Sequence, residues 1–584
     1  MSDHVESLRR HLSSGVRTAR QLADHLGVSQ PTVSRAIAAL GDDVVRIGAA
    51  RSIQYALRDA ARGLPDMPVY RVDTQGRLRK LGMLIPVRPD GFVMRQEDGV
   101  TLHSAGLPWW LFDMRPQGYL GRAYVARHSQ ALGLPDRLVD WNDTHALHAL
   151  LAHGHDVVGN LLLGDTARQH FLVAPEGVPL TAPGKAAAYA ELAQAAARGE
   201  APGSSAGGEQ PKFTAMAATP DGPRHMIVKF SEAEASPVTE RWRDLLLAEH
   251  LALDTLRRAG LPAAVSRIVD HAGQRFLEVE RFDRVGPLGR RALHSLAALD
   301  AEFVGTGAGT WPTVVRPLAS AGQITPEAAD VAELLWAFGT LIGNTDMHHG
   351  NLSFIADHGR PYAIAPAYDM TPMAFAPHRS GALPDTLPAA SIHASVSAEH
   401  WRRAEALARA FLARVGGEQE FSPRFRACVD ALAGHVDAAG EKIGRLGWGA
   451  AGVWLRVCAN KGACHADVVG RDSSRQRWSI GRGCRSRGLA AARAVSMAVG
   501  FVARMARSAI RALLPKMGSD QRVRVGTRPC DGAVHPELRH IFGQNWRGLI
   551  NCATIAPRSP RTAPTVPCLR PTTCSTASGP QQTD

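Results

Sequence analysis

The sequence lacks any apolar run long enough to cross a membrane. A transmembrane helix needs about 20 mostly apolar residues, and no such window occurs in the 584 residues. The N-terminal segment is charged and has no apolar core of the kind found in secretory signal peptides. We therefore expect a cytoplasmic protein without a membrane partner.

Most of the chain contains few cysteines and has a net charge close to zero. Residues 1–447 contain one cysteine, Cys428, and 46 Lys and Arg against 48 Asp and Glu. This composition excludes a small secreted scaffold held together by disulfides. The hydrophobic fraction of 45% and the charged fraction of 21% are ordinary globular values and exclude wholesale disorder.

The remaining residues, 448–584, differ sharply from this body in composition. They contain 21 Lys and Arg against 6 Asp and Glu, together with seven of the eight cysteines. Stretches rich in proline, as at residues 556–573, cannot pack regularly. We predict a basic, disordered, non-homologous tail. The alternative is a basic helix over residues 489–514 that suits an anionic surface.

Residues 1–62 predict a winged helix-turn-helix domain. Apolar residues recur at helical spacing on both sides of Thr18, which is suited to begin the second helix, and Gly27 is suited to end it. Residues 44–57 are strand-like and would form the wing. The third helix of such a domain enters the major groove by its N-terminal end, which gives as candidate DNA contacts Gln30, Thr32, Ser34 and Arg35. The alternative is a helical bundle that contacts protein.

Residues 66–180 predict a small α/β subdomain with no chemistry of its own. Strand-like stretches occur between residues 69 and 95, and Asp143 is placed to cap a helix over residues 144–151. Residues 107–122 are rich in aromatic side chains and are predicted to form a loop. We expect their tryptophans to contribute to the core, and the alternative is that they bind a ligand.

The strongest chemical signal is an Asp followed five residues later by an Asn, with a second Asp after the next apolar stretch: Asp346, Asn351 and Asp369. In a protein-kinase catalytic loop such an Asp accepts the substrate hydroxyl proton and the Asn holds Mg²⁺. The second Asp bridges the metal to the phosphates. The spacing therefore predicts phosphoryl transfer from ATP. His348 and His349 are either metal ligands or hydrogen-bonding residues of the loop.

The expected nucleotide-binding segments precede this loop in the expected order. A glycine-rich stretch occupies residues 205–212, and Lys229 lies in a predicted strand. Glu249, in an apolar helix, is our candidate partner for this lysine, and Glu240 is the alternative. A strand that runs into a polar turn at residues 276–284 is placed where a kinase hinge would meet adenine.

These motifs resemble the HipA family of toxin serine/threonine kinases, in its YjjJ-like branch, which carries an N-terminal helix-turn-helix. The matching segments are Ser205-x-x-Gly208-x-Gln210-x-Lys212, Ala248-Glu249, Val279-Glu280-Arg-Phe-Asp-Arg284, Asn344-Thr-Asp346-x-His348-x-x-Asn351 and Tyr368-Asp369. The resemblance covers roughly residues 66–447. It implies an α+β, protein-kinase-like fold, with the kinase domain at residues 181–447.

The resemblance also implies a role for each matching residue. Asp346 would be the catalytic base, and Asn351 and Asp369 would hold Mg²⁺. The implied ATP-binding residues are Gly207, Gly208, Lys212, Lys229, Glu249, Glu280 and Phe282. Autophosphorylation at Ser205, or at the adjacent Ser204, would silence the enzyme, because two added charges on a tight loop repel bound ATP.

We therefore expect an ATP- and Mg²⁺-dependent serine/threonine kinase of toxin–antitoxin type that binds its own operator. By resemblance, its substrate is a translation component such as an aminoacyl-tRNA synthetase. A separate antitoxin and a homodimer are further candidate partners. The alternative is a DNA-binding transcriptional regulator whose kinase-like domain senses a nucleotide without transferring phosphate. The intact set Asp346, Asn351 and Asp369 favours the enzyme.

Overall fold

The computed structural model describes residues 2–49, 52–174, 177–198 and 210–446. The predictions for the tail, for Ser204, Ser205, Gly207 and Gly208, and for the tip of the wing at residues 50–51 lie outside these ranges. The described residues combine helices and strands, which confirms the α+β prediction. None of the helices in these ranges has the length and apolar character that a membrane crossing requires.

Three helices and a small antiparallel sheet form the N-terminal part. Its elements are α1 (Ser2–Ser13), β1 (Arg17–Thr18), α2 (Ala19–Leu26), α3 (Gln30–Leu40), β2 (Val44–Ile47) and β3 (Gln54–Leu57). The strand order is β1-β3-β2. The winged helix-turn-helix interpretation of these residues stays a prediction.

Local capping explains where α2 begins and ends. The Thr18 hydroxyl accepts from the Gln21 amide at 3.2 Å, and the Gln21 side chain accepts from the Thr18 amide at 2.9 Å. This reciprocal capping box satisfies two backbone donors at the helix start. Gly27 follows the helix at φ +63°, a conformation that glycine adopts without steric cost.

The middle part is a five-stranded antiparallel sheet with three helices. Its elements are β4 (Met67–Val72), β5 (Leu78–Val87), β6 (Gly91–Gln96), β7 (Thr101–Ser104), α4 (Gly118–His128), α5 (Asp143–His153), β8 (Leu161–Leu163) and α6 (Gly164–Val173). The strand order is β7-β6-β5-β4-β8. The β2–β3 hairpin packs on this sheet through a shared apolar core, and the Gly48 amide donates to the Thr101 hydroxyl at 2.7 Å.

Two local predictions for the middle part were wrong. The loop expected at residues 107–122 contains a 3₁₀ helix, Trp109–Met114, and the start of α4. Burial of Leu111, Met114 and Leu120 stabilises these turns although the glycine-rich sequence of α4 has low helix propensity. Helix α5 is capped by Asn142 and not by Asp143, because the Asn142 side chain accepts from the His145 amide at 3.0 Å.

The third part consists of a four-stranded sheet with two helices, followed by a largely helical region. The first group contains α7 (Ala182–Ala197), β9 (Lys212–Thr219), β10 (Gly222–Phe230), α8 (Pro237–Arg258), β11 (Ser266–His271) and β12 (Gln274–Glu280). The sheet is antiparallel, in the order β11-β12-β10-β9.

The helical region contains short strands and five helices around one large apolar core. Its elements are β13 (Arg284–Val285), β14 (Gly289–Arg290), β15 (Leu293–Ser295), α9 (Leu296–Phe303), α10 (Trp311–Ser320), α11 (Pro326–Leu341), β16 (Ser353–Ile355), β17 (Ala363–Ile364), α12 (Ala398–Gly417) and α13 (Arg426–Arg445). Trp311, Phe338, Trp401 and Phe411 are fully buried in this core.

Four histidines lie close together in the middle part. The ring centroids of His128 and His153 are 4.4 Å apart, and those of His155 and His170 are 5.3 Å apart. Burial lowers the pKa of His128, His153 and His155. Neighbouring positive charges lower it further at His128 and His153, and at His155 the charge of Asp156 partly offsets the burial. The folded protein therefore favours neutral imidazoles at His128, His153 and His155.

We expect the histidine cluster to destabilise the fold as the pH decreases. The unfolded chain binds protons at a histidine pKa of about 6.5, whereas the folded chain resists protonation, so stability is lost as the pH falls below that value. Urea midpoints at pH 7.5 and 5.5 would measure the loss. His153→Gln should reduce the pH dependence, and an unchanged dependence would show that other groups cause it.

Candidate active site

A buried lysine links three elements of the candidate site. Lys229, near the end of β10, donates to both carboxylate oxygens of Glu249 at 2.8 Å and also to Asp369 Oδ1. Burial by itself would lower the pKa of Lys229, but the carboxylates of Asp369 and Glu249 outweigh it and raise the pKa. Lys229 is therefore a permanent cation held between α8 and the segment after β17.

The structure pairs Lys229 with Glu249 and not with the alternative, Glu240. Glu249 is 1% exposed and also accepts from the Thr371 hydroxyl at 2.8 Å. Glu240 instead lies 3.4 Å from Arg424. The two glutamates are nine residues apart, about two and a half helical turns, so they lie on opposite sides of α8.

A second lysine lies beside Lys229. Lys212 in β9 is the cross-strand partner of Lys229, and both residues are at most 5% exposed. Like charges directly opposite one another on neighbouring strands repel. Burial would raise the pKa of Asp369, but Lys229 and then Lys212 outweigh it and lower the pKa. The site thus holds an ionised carboxylate against two buried cations.

Asp369 has an unusual backbone conformation. Its φ is +54°, in the left-handed region, where a residue other than glycine costs roughly 1–3 kcal/mol and is often found at functional sites. The Asn344 side chain donates to the Asp369 carbonyl at 3.0 Å. This bond ties Asp369 to the loop that carries Asp346.

The loop from Asn344 to Asn351 is held by its own side chains. Asn344 Oδ1 accepts from the Asp346 amide at 3.0 Å, and the Asn351 carboxamide donates to the Asp346 carbonyl at 2.8 Å. The Asp346 backbone is therefore fixed on both sides, while its side chain is exposed. The Tyr368 hydroxyl donates to the Gly350 carbonyl at 2.7 Å, which fixes the loop against the residue before Asp369.

Both histidines of the loop have hydrogen-bond partners within the protein. His348 Nδ1 accepts from the Gly350 amide at 3.0 Å. His349 Nε2 donates to the Gly309 carbonyl at 3.1 Å, and its Nδ1 lies 3.4 Å from Asp300. This geometry matches the hydrogen-bonding interpretation. In the described ranges no three His, Cys, Asp or Glu side chains are grouped as ligands for a metal ion.

Of the two residues predicted to meet adenine at the hinge, Phe282 lies close to the segment that carries Asp369, whereas Glu280 is bonded elsewhere. Glu280, at the end of β12, forms an ion pair with Arg224 at 3.1 Å. The Phe282 ring lies 5.8 Å from the Tyr368 ring, centroid to centroid. Tyr368 directly precedes Asp369 in the sequence. The structure therefore brings together Lys212, Lys229, Glu249, Phe282, Asp346, Asn351 and Asp369 around one region.

Two family models match this sequence. The YjjJ-like toxin middle domain matches residues 64–172, and the HipA-like C-terminal domain matches residues 204–439. Toxin YjjJ of Escherichia coli (strain K12) is 38% identical over 438 residues, a match that covers 75% of this chain and 98% of that protein. The chain belongs to the YjjJ-like family of HipA-type toxins.

Two solved structures contain chains with limited similarity to this YjjJ-like protein. A chain of the Shewanella oneidensis MR-1 complex of HipA, HipB and operator DNA is 16% identical, with a TM-score of 0.38, and the match covers 65% of this chain and 97% of that one. The Helicobacter pylori proinflammatory kinase CtkA is 13% identical, with a TM-score of 0.28, over 40% of this chain and 88% of its own.

Sequence reasoning missed three supporting residues in this YjjJ-like toxin. Asn344 and Tyr368 were recognised as parts of matching motifs but without a role, and Thr371 was not singled out. Their contacts depend on where the chain folds back, since Asn344 and its partner Asp369 are 25 residues apart. The only signal in the sequence is their proximity to Asp346 and Asp369.

A buried ionic network joins the two matched regions of the YjjJ-like chain. Arg284 donates to Asp156 at 2.8 Å and to Asp283 at 2.6 Å. Asp283 also accepts from Arg281 at 3.0 Å and from the Gly159 amide at 3.2 Å. Burial would raise the pKa of Asp283, but Arg281 and Arg284 lower it. The predicted hinge motif thus also anchors the middle part.

Proposed function

We propose that this chain is an ATP- and Mg²⁺-dependent serine/threonine protein kinase of the HipA toxin type. The observation that supports this function best is the contact of one buried lysine, Lys229, with both Glu249 and Asp369, beside a loop in which Asp346 is fixed. Phosphoryl transfer depends on alignment and charge neutralisation more than on covalent chemistry by the protein. The grouped residues supply both the alignment and the charge neutralisation.

Asn351 and Asp369 are the proposed Mg²⁺ ligands, and their chemistry fits the metal. Mg²⁺ prefers oxygen ligands and usually takes one or two from protein, with phosphates and waters completing its shell. Asn351 uses its carboxamide nitrogen to hold the Asp346 carbonyl, so its oxygen can serve as a ligand. Asp369 is ionised beside Lys229. Bound Mg²⁺ would neutralise phosphate charge.

Asp346 is the proposed catalytic base. Its backbone amide and carbonyl are both bonded within the loop, and its side chain is exposed, where a substrate hydroxyl could reach it. Lys229, with Lys212 beside it, would hold ATP phosphates. Glu280 and Phe282 would meet adenine at the hinge. The proposed phosphorylated residue of the glycine-rich loop is Ser205, with Ser204 as the alternative.

The function can be tested without knowing the protein substrate. The purified full chain would be incubated with ATP and Mg²⁺, or with ATP and EDTA, and its intact mass measured. We expect one phosphoryl group to be added only with Mg²⁺, and peptide mapping to place it at Ser205 or Ser204. If ATP binds but no phosphoryl group is added, the regulator that senses a nucleotide becomes the better function.

We also propose that the N-terminal part binds operator DNA through α3. Gln30, Ser34 and Arg35 are exposed on this helix, near the end that would enter the major groove. Thr32 is partly buried and bonded to the Ser29 hydroxyl at 3.0 Å, which favours a positioning role. A separate antitoxin and a homodimer stay candidate partners. An aminoacyl-tRNA synthetase substrate stays a prediction of the family resemblance.

Arg35→Ala should weaken binding to the DNA upstream of the chain's own coding sequence. A bidentate Arg contact to a base is worth about 1–3 kcal/mol, so we expect a loss of roughly tenfold or more. Electrophoretic mobility shifts at one fixed salt concentration would measure it. Arg10→Ala, in α1 and also exposed, is the matched control. Equal losses for both variants would argue against readout by α3.

A further inference from the structure

A cavity of about 730 Å³ lies between the middle sheet and the β15-β16-β17 sheet. One wall is formed by the middle sheet and includes Arg71 from β4 and Arg79 from β5. The opposite wall includes His294 of β15 and Tyr362, which precedes β17. The cavity is separate from the candidate active site, because it contains none of the residues that contact Lys229.

The cavity has an aromatic wall made of rings that are tilted against one another. The Trp109 ring lies 4.6 Å from the His294 ring, and the His294 ring lies 5.7 Å from that of Tyr362, measured between centroids. Trp110 also lines the cavity and is partly buried. Flat aromatic surfaces of this kind stack on planar rings with little dependence on their identity.

Two arginines face each other on the sheet wall without a carboxylate between them. Arg71 and Arg79 are direct cross-strand partners, an arrangement that is destabilising for like charges. In the part of the chain that the structure describes, neither side chain has a hydrogen-bond or ion-pair partner. Both arginines are exposed. Desolvation and then the charge of Arg79 lower the pKa of Arg71, while the charge of Asp357 partly offsets them.

The carboxylates near these arginines are bonded to other groups, including those in the cavity lining. Asp98 accepts from the Val100 amide at 3.0 Å, and Asp113 accepts from the Ser295 amide at 2.7 Å and from the Ser295 hydroxyl at 2.6 Å. Asp357 accepts from Arg291 at 2.8 Å and from the Ala292 amide at 2.8 Å. Glu97 forms an ion pair with Lys80 at 3.2 Å. The cavity lining carries as many carboxylates (Glu97, Asp98, Asp113) as Arg and Lys side chains (Arg71, Arg79, Lys80). Within the described residues the arginine pair itself has no carboxylate partner, and an anion bound there would relieve the repulsion between the two guanidinium groups.

We propose that this cavity binds a nucleoside phosphate, with its base on the aromatic wall and its phosphate on Arg71 and Arg79. Guanidinium groups bind phosphate oxygens bidentately, and the volume lies within the range of small-ligand sites. The carboxamides of Gln96 and Asn160 also line the cavity, and this side chain type pairs with base edges. The site is independent of ATP binding beside Lys229.

Photo-crosslinking with 8-azidoadenosine 5′-monophosphate would test this site on the full chain. Peptide mapping separates the two regions, because the cavity peptides carry Trp109, Trp110 or His294, whereas the active-site peptides carry Lys229 or Phe282. We expect labelling of a cavity peptide that excess AMP abolishes. Labelling confined to active-site peptides, or no labelling at all, would overturn the proposal, and the first result would leave the kinase proposal intact.

Matched variants make the test specific. Arg71→Ala/Arg79→Ala should reduce cavity labelling about tenfold, the effect of losing charge-assisted bonds to phosphate. Arg95→Ala removes an exposed arginine of β6 that does not line the cavity and should leave labelling unchanged. Since the double variant removes a repulsive pair, its melting temperature without ligand should not fall. Equal labelling of all three proteins would contradict the proposal.

Discussion

Asp346→Ala should abolish the addition of phosphate to the chain while leaving the fold intact. Loss of a positioned general base typically slows proton transfer by about 10²–10⁴-fold. The Asp346 side chain is exposed, and the loop bonds use its backbone amide and carbonyl, which alanine retains. The measurement is the rate of phosphate addition from ATP, followed by intact mass in a single turnover.

The control for this prediction is a carboxylate with similar exposure in the same region. Glu302, on α9, is exposed, and Glu302→Gln should leave the rate and the melting temperature unchanged. Asp346→Ala should also keep the wild-type melting temperature. A variant that folds and still adds phosphate at the normal rate would exclude Asp346 as the base.

Asp283→Asn should strongly destabilise the joint between the middle part and the kinase-like part. Asp283 is 5% exposed and accepts from Arg281, Arg284 and the Gly159 amide. Removal of one partner from a buried ion pair costs about 3–5 kcal/mol, because the remaining charges stay buried without compensation. The change in urea midpoint and in the m-value would measure this loss.

A surface ion pair in the same part of the chain provides the control. Asp140 lies 3.6 Å from Arg137, and both side chains are at least half exposed. Exposed pairs contribute about 0–1 kcal/mol, so Asp140→Asn should cause almost no change. If Asp283→Asn were equally mild, the network would not hold the two parts together.

Local sequence signals predicted the elements whose formation depends on nearby residues. Thr18 and Gly27 begin and end α2 as expected, because a capping box and a left-handed glycine act within one helical turn. The strand that carries Lys229 and the helix that carries Glu249 could also be predicted, because the pattern of apolar residues that indicates each of them is local. Propensity failed at residues 107–122, where burial of Leu111 and Leu120 decided the conformation.

Long-range contacts could not be predicted in the same way. The hinge motif was identified from its residue types, but its contact with Asp156 joins Arg284 to a position 128 residues earlier. No local pattern specifies such a partner, because an arginine in a turn can be exposed to solvent as readily as it can pair with a distant carboxylate. The opposed pair of Arg71 and Arg79 depends on the register between β4 and β5, which only the folded sheet sets.

The sequence by itself determined the order of the kinase-like motifs, the family, and the separation of a near-neutral body from a basic tail. These features depend only on which residues occur and on their spacing along the chain. Only the tertiary structure decided that Glu249 and not Glu240 meets Lys229, that Asn344 holds Asp369, and that an aromatic cavity forms between two sheets. The physical reason is that each of these depends on which faces of distant elements pack together, and burial selects those faces only when the whole chain is folded.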